Sequence, residues 1–118
     1  MNCAEYARSG EMRVFMHQIY EFKKGVRSLV LCTMCVTSAD LVIDRLRNQG
    51  IDYLVQQVAD NKVNLYFGKP ACLSAVGTFI DKPLNRLTPE EDFMLGAMLG
   101  YDISQQCERF CTKKAKRA

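Results

Sequence analysis

The sequence predicts an α+β fold, with a small three-stranded mixed sheet on a β-α-β-β core and about five helices around it. Three observations support this prediction. An apolar run at 28–34 is followed by an amphipathic segment at 38–48, which is the order of a strand and a helix. Two further β-rich runs, 53–59 and 62–67, flank Asp60-Asn61, a dipeptide that suits a tight hairpin turn.

The composition is that of one folded domain. Of the 118 residues, 48% are hydrophobic and 25% are charged, both ordinary values for a globular protein. We expect residues 1–10 to be disordered, residues 11–112 to form a single α+β domain, and residues 113–118 to be a basic tail. The net charge of +3 comes mostly from that tail, so the body lacks the basic face of a nucleic-acid-binding protein.

The cellular setting is predicted from cysteine usage and hydropathy. Six cysteines occur in a chain without a recognisable signal peptide or an apolar run long enough to span a membrane. This combination predicts free thiols in a reducing cytoplasm and no membrane partner.

The first helix is predicted from Glu11 to Lys24, because apolar residues recur there every three or four positions and Gly25 suits the residue after a helix end. The strand that follows is apolar on both faces, which is typical of a strand in the middle of a sheet. Its two faces carry Leu29 and Leu31 on one side, and Val30, Cys32 and Met34 on the other.

The next helix is predicted to begin at Thr37 or Ser38 as N-cap and to end at Gly50. Strand, helix and strand in succession predict a right-handed crossover with the first two strands parallel. In the third strand, apolar residues alternate with Asn64 and Tyr66, which predicts a half-buried strand at the edge of the sheet.

The C-terminal half is predicted to be helical. Thr88-Pro-Glu-Glu91 has the spacing of a capping box, in which Thr88 caps the helix and Glu91 reaches back to the cap. Asp102 can cap a last helix with an apolar stripe of Ile103, Cys107, Phe110 and Cys111. We expect a sheet of only three strands to leave an exposed edge and an uncovered face, so we also expect a homodimer.

The segment Cys32-Thr-Met-Cys35 lies where the first strand meets a helix N-terminus, a position that lowers thiol pKa values and suits a redox dithiol. The same spacing is half of a zinc site, and Cys107 and Cys111 can supply the other half. Against both, Cys32 lies within the apolar strand pattern, and Cys107 and Cys111 lie on an apolar stripe. We predict core cysteines, no cofactor and no metal, with the thiol-redox and zinc alternatives left open.

Two other groups of polar residues have ordinary structural interpretations. His17 is the only histidine, and Tyr20 and Glu21 lie close enough on a helix to share a site with it, although an exposed helical histidine is usually a surface residue. The acids Glu90, Glu91 and Asp92 follow Thr88 directly, where the helix dipole favours negative charge.

A family resemblance rests on a few segments of the chain. The first is Arg13-Val-Phe-Met-His-Gln-Ile-Tyr-Glu-Phe-Lys-Lys-Gly25 with 27–31, and the second is Leu87-Thr-Pro-Glu-Glu-Asp-Phe-Met-Leu-Gly96 with 99–102 and 105–107. In these segments, and from about Met12 to Lys113, the chain resembles a small bacterial family known as domain of unknown function 2023. The resemblance implies an α+β fold of three strands and five helices that dimerises, and it implies no site residues. Its members are often encoded beside flavodoxins, which implies a flavodoxin-like partner and a role near electron transfer.

The sequence contains no phosphate loop, dinucleotide fingerprint or convergent set of catalytic residues. We therefore predict a non-enzymatic cytoplasmic binding or adaptor module that acts as a homodimer. The alternatives are a small thiol-redox or zinc protein that uses Cys32 and Cys35, and a small-molecule sensor.

Overall fold

The computed structural model describes residues 3–117 and the side chains of residues 10–117. Its five α-helices and three strands confirm the α+β class and the predicted order of elements. In chain order these are α1 (Cys3–Lys23), β1 (Leu29–Cys35), α2 (Val36–Asn48), β2 (Tyr53–Ala59), β3 (Lys62–Gly68), α3 (Pro70–Gly77), α4 (Pro89–Met98) and α5 (Ile103–Arg117). A short 3-10 helix, Leu84–Arg86, lies between α3 and α4.

The sheet is antiparallel throughout, so the prediction of a mixed sheet is wrong. Its strand order is β1-β3-β2, and β3 pairs with both neighbours. Because β1 and β2 are each antiparallel to β3, they point in the same direction, as a strand-helix-strand crossover requires. They are not paired with each other, because the hairpin after β2 turns β3 into the space between them.

The central and edge strands are exchanged relative to the prediction: β3 is central and β1 is an edge. The side chains of Asn64 and Tyr66 suggested a solvent-facing side of β3, but both are buried. Their polar groups bond to Gln56 on β2, which lets the C-terminal half of the chain cover this face of the sheet.

Helices cover both faces of the sheet, so the expectation of an uncovered face is also wrong. The core between α1, α2 and the sheet includes Val30 and Met34, and the core under α3 and α4 includes Leu29 and, at its margin, Leu31. The predicted alternation of β1 side chains is therefore confirmed. Each large apolar side chain buried in these cores contributes about 1.5–3 kcal/mol.

The helix ends differ from the prediction at three places. The helix α1 begins at Cys3 rather than Glu11, so residues 3–10, expected to be disordered, continue it, and residues 1 and 2 lie outside the described residues. The N-cap of α2 is Cys35 rather than Thr37 or Ser38. The helix α5 continues to Arg117 through most of the predicted tail, whose lysines and alanine are good helix formers; Ala118 is outside the described range.

The two predicted caps in the C-terminal half are confirmed. Thr88 Oγ1 accepts a hydrogen bond from the Glu91 amide at 3.1 Å, and Glu91 Oε1 accepts one from the Thr88 amide at 2.9 Å. Asp102 Oδ2 accepts a hydrogen bond from the Gln105 amide at 3.0 Å. Across residues 3–117, no helix combines the length and the apolar character that a membrane span needs.

Candidate functional site

The thiols of Cys32 and Cys35 lie in different environments although both belong to β1. The Cys32 thiol donates a hydrogen bond to Gln18 Oε1 on α1 at 2.7 Å. Burial raises the pKa of Cys32 to about 11, despite the opposing effect of the Arg27 charge. Cys35 Sγ lies 3.3 Å from Ser38 Oγ and 3.5 Å from Thr37 Oγ1, and hydrogen bonds from these hydroxyls lower the pKa of Cys35.

The structure does not bring the four candidate cysteines together. Cys107 and Cys111 lie on α5, exposed, and contribute to a groove against α4, whereas Cys32 and Cys35 contact α1 and the start of α2. In the part of the chain that the structure describes, no three His, Cys, Asp or Glu side chains form a group that could hold a metal ion. The prediction that Cys107 and Cys111 are core residues is wrong, because the stripe that carries them faces solvent.

His17 is a surface residue whose nearest charged partner is on its own helix. Its side chain is 74% exposed, and its Nε2 lies 3.3 Å from Glu21 Oε1. Glu21 also accepts a hydrogen bond from Arg27 Nε at 3.2 Å. Contacts of this kind, between side chains four residues apart on one helix face, are common on helix surfaces.

Each of the three consecutive acids in α4 is paired with a different cation. Glu90 pairs with Lys114 at 2.5 Å and Glu91 with Lys82 at 2.6 Å. Asp92 accepts two hydrogen bonds from Arg109, at 2.7 and 3.1 Å. These pairs join α4 to α5 and to the loop before α4, so the acids act as structural anchors.

A buried polar network on the central strand was not predicted. Gln56 Oε1 accepts hydrogen bonds from Asn64 Nδ2 at 3.1 Å and Tyr66 Oη at 2.9 Å. Gln56 Nε2 donates to the carbonyls of Ile80 and Lys82, at 2.8 and 2.9 Å. A cavity of about 700 Å³ adjoins this network. Because both ends of the Gln56 amide already have partners, the network holds the 80–82 loop on the sheet.

A strongly apolar groove lies between α4 and α5, with a volume of about 680 Å³. We call it the α4–α5 groove; its apolar lining consists of Phe93, Met94, Ala97, Met98, Cys107, Phe110 and Cys111. The rings of Phe93 and Phe110 meet edge to face, 5.8 Å apart. Met94 is 42% exposed, and Ile103, on the same stripe of α5, is 56% exposed.

Local backbone features set the shape of the groove. Gly100, at φ +84°, ends α4 in a turn in which the Tyr101 amide donates to the Gly96 carbonyl at 3.1 Å. The chain thereby reverses, and α5 returns along α4. Gly96 lets α5 approach closely, because a Cβ there would lie 2.0 Å from Gln106 Oε1. Gln106 is the one buried residue among those described in α5, so most of that helix remains exposed.

One end of the groove is positively charged. Glu90 lies on its rim and pairs with Lys114, and the charges of Lys114 and Arg117 lower the pKa of Glu90 beyond the effect of that hydrogen bond. Arg117 is held nearby through a hydrogen bond from its Nη2 to the Leu87 carbonyl at 3.2 Å. Two cations thus accompany one acid at this end.

The sequence contained a signal for this surface, although it was interpreted as core. Ile103, Cys107 and Cys111 form an apolar stripe on α5. The close contact of α5 with α4 uses instead the side of α5 that carries Gln106.

Comparison with models of protein families gives a match over most of the chain. A family model described as "Protein of unknown function (DUF2023)" matches residues 13–113. No curated protein matches the chain. The match confirms the resemblance noted in the sequence, and its description names no reaction, ligand or partner.

Proposed function

The chain belongs to the domain of unknown function 2023 family, and we propose that it is a non-enzymatic binding module whose docking site is the α4–α5 groove. The observation that carries this proposal is the exposed apolar lining of the groove on both of its helices. Apolar side chains gathered in one concave surface commonly mark a site where another protein binds. The pairing of Glu90, Glu91 and Asp92 with cations supports a role other than acid-base catalysis.

The occupant is an amphipathic helix of a protein partner, with acidic residues at one end. Two adjacent helices with apolar side chains between them form the kind of groove in which a third helix buries its apolar face. Lys114 and Arg117 at one end of the groove favour a partner with negative charge there. A flavodoxin-like protein is the candidate that the family resemblance suggests.

The module acts as a homodimer in the cytoplasm, so that one assembly presents two grooves. Free thiols at Cys32, Cys35, Cys72, Cys107 and Cys111 support a reducing environment. The edge strands of the sheet support self-association, because unpaired strand edges readily pair with another chain.

The groove is tested with a synthetic amphipathic peptide of leucine and glutamate, and with a matched peptide of leucine and lysine. We expect the acidic peptide to shift the amide resonances of α4 and α5 and to bind more tightly than the basic one. Met94→Glu places a charge in the groove and should weaken binding of the acidic peptide at least about tenfold, which corresponds to about 1.4 kcal/mol.

Leu41→Glu is the matched control, because Leu41 on α2 is 44% exposed, close to Met94, and belongs to another surface. It should leave peptide binding unchanged. Equal binding by wild type and Met94→Glu, or resonance shifts outside α4 and α5, would overturn the proposed site. The same titration with a purified flavodoxin tests that partner directly.

Thiol chemistry is the second candidate function, and the environment of Cys35 favours it. Cys35 lies at the N-terminus of α2 and its pKa is lowered, which are features of reactive cysteines. Cys32, whose pKa is raised, would be the less reactive of the two thiols.

A further inference from the structure

We propose that β1 forms the dimer interface: two copies pair antiparallel through their free β1 edges, about a two-fold axis at Cys32, and form one continuous six-stranded sheet. The proposal rests on the homodimer of the proposed function and is independent of the α4–α5 groove.

The backbone groups available on β1 follow from its pairing with β3. The Lys69 amide donates to the Ser28 carbonyl and the Val36 amide to the Asn61 carbonyl, both at 2.9 Å. The backbone amides and carbonyls of the even-numbered residues of β1 therefore point toward β3. In an antiparallel strand the alternate residues point the other way. The amides and carbonyls of Leu31 and Thr33 therefore face the free edge, with the Cys35 amide, whereas Leu29 is fully buried and its backbone groups are covered. The Cys35 carbonyl serves the first turn of α2.

The edge of β1 lacks the features that normally prevent strand association. Its seven residues, Leu-Val-Leu-Cys-Thr-Met-Cys, include no charge, proline or glycine, and its ladder to β3 has no register shift. The other edge, β2, has a bulge between Gln57 and Ala59, and the Gln57 side chain donates to the Ala59 carbonyl there. Of the two edge strands, β1 is therefore the better suited to pair with a strand of another copy.

A second copy fits this edge in one register. A two-fold axis normal to the sheet keeps side chains on their own face, so the axis must pass beside a single residue. Placing it at Cys32, the middle of the strand, sets Leu31 opposite the partner's Thr33 on each side of the axis. The amide and the carbonyl of Leu31 then each bond to the partner's Thr33, which gives about four hydrogen bonds over the two symmetric pairs.

The side chains that this register brings together are compatible. No charged residue on β1 meets its own copy, because the strand has none. Beside the edge, Val14 of α1 is 57% exposed and lines an open groove of about 640 Å³ with Leu31, Cys32 and Thr33. Glu11 approaches Cys35 at one end of β1 and Arg27 precedes the other end, so antiparallel pairing brings these opposite charges toward each other.

Charge placed on either edge tests the interface. Thr33→Lys sets two lysines close together across the axis and should raise the dimer dissociation constant at least about tenfold by analytical ultracentrifugation. Val55→Lys, on the β2 edge at 43% exposure, should leave it within about twofold. Thr33→Val should also leave the dimer dissociation constant within about twofold, because it removes only the hydroxyl that donates to Asn64 and adds no charge. A monomeric wild type, or a dimer weakened by Val55→Lys, overturns the proposal.

Cross-linking tests the register even if Thr33→Lys fails to fold. At the axis the two Cys32 residues form a non-hydrogen-bonded pair with Cα atoms about 4.5 Å apart, within the range of a disulfide. Diamide at pH 9 takes one hydrogen from each thiol and should yield a Cys32–Cys32 peptide by mass spectrometry, absent in Cys32→Ser. A dimer without this cross-link overturns the register. A monomer that still binds the acidic peptide overturns the interface and leaves the groove intact.

Discussion

Cys32 and Cys35 are three positions apart on one strand, yet the pKa of one is raised and that of the other lowered. The Cys32 thiol lies under α1, where burial disfavours the thiolate. The Cys35 thiol lies at the strand end, where the hydroxyls of Ser38 and Thr37 stabilise its negative charge. The difference comes from local geometry, since the residue type is the same.

These pKa shifts predict an order of alkylation. A lower pKa gives more thiolate at a given pH, so iodoacetamide should modify Cys35 well before Cys32 at neutral pH. The rate at Cys32 should keep rising toward pH 11, near its pKa of about 11. Peptide mass spectrometry of a labelling time course measures both rates.

Ser38→Ala is the informative control, because the Ser38 hydroxyl is the largest cause of the lowered pKa. It should raise the pKa of Cys35 and shift its pH profile upward, with no change at Cys32. Faster labelling of Cys32 than of Cys35 would contradict the assigned environments.

Residue-level predictions succeeded where a side chain's role depends on its own segment. Thr88 and Asp102 cap their helices as the local spacing indicated. They failed where the role depends on distant partners. Nothing in the local pattern of β3 indicates that Gln56, on another strand, satisfies both Asn64 and Tyr66 and allows their burial.

At the scale of elements, α1 is longer than its apolar stripe indicated. The stripe begins at Met12, but the helix extends back to Cys3 through Gly10. Helix formers such as Ala and Glu favour this extension, whereas Gly10 opposes it.

Alanine substitution tests the extension. Gly10→Ala should stabilise the protein by up to about 1 kcal/mol, because Gly10 is helical and no heavy atom lies within 4 Å of the added Cβ. Gly25→Ala also meets open space, but its φ of +81° disfavours a side chain, so it should destabilise by about 1–2 kcal/mol. Urea denaturation measures both. A neutral Gly10→Ala would contradict a formed helix at that position.

The type and the order of the predicted elements were right, but the predicted positions of the strands within the sheet were wrong. The strand-helix-strand pattern fixes the direction of β1 and β2 and leaves open whether another strand lies between them. The apolar character of β1 suggested a central position, although an edge strand with helices on both faces looks the same in sequence.

For the whole molecule, burial is unevenly distributed. Six of the seven residues of β3 are buried, whereas the described part of α5 has only Gln106 buried. The principal extents of 49 × 32 × 22 Å describe an elongated molecule. Local stability should follow the burial, because little apolar contact opposes the opening of α5.

Hydrogen exchange measured by mass spectrometry tests this distribution. Amides of β3 should exchange slowest, at rates set by global unfolding, and those of α5 should exchange much faster. Saturating the groove with the acidic peptide should slow exchange in α5 and leave β3 unchanged. Protection of α5 equal to that of β3 in the free protein would contradict the prediction.

The position of β3 between two earlier strands also constrains the order in which the chain can assemble. The β2–β3 hairpin closes over two residues, so it can form early and locally. Leu29 reaches its partner Gly68 only after about 40 intervening residues have been made, and until then β1 has no neighbour in the sheet. A nascent chain therefore carries an apolar, unpaired strand during its synthesis, and such a strand is prone to aggregation unless a chaperone binds it.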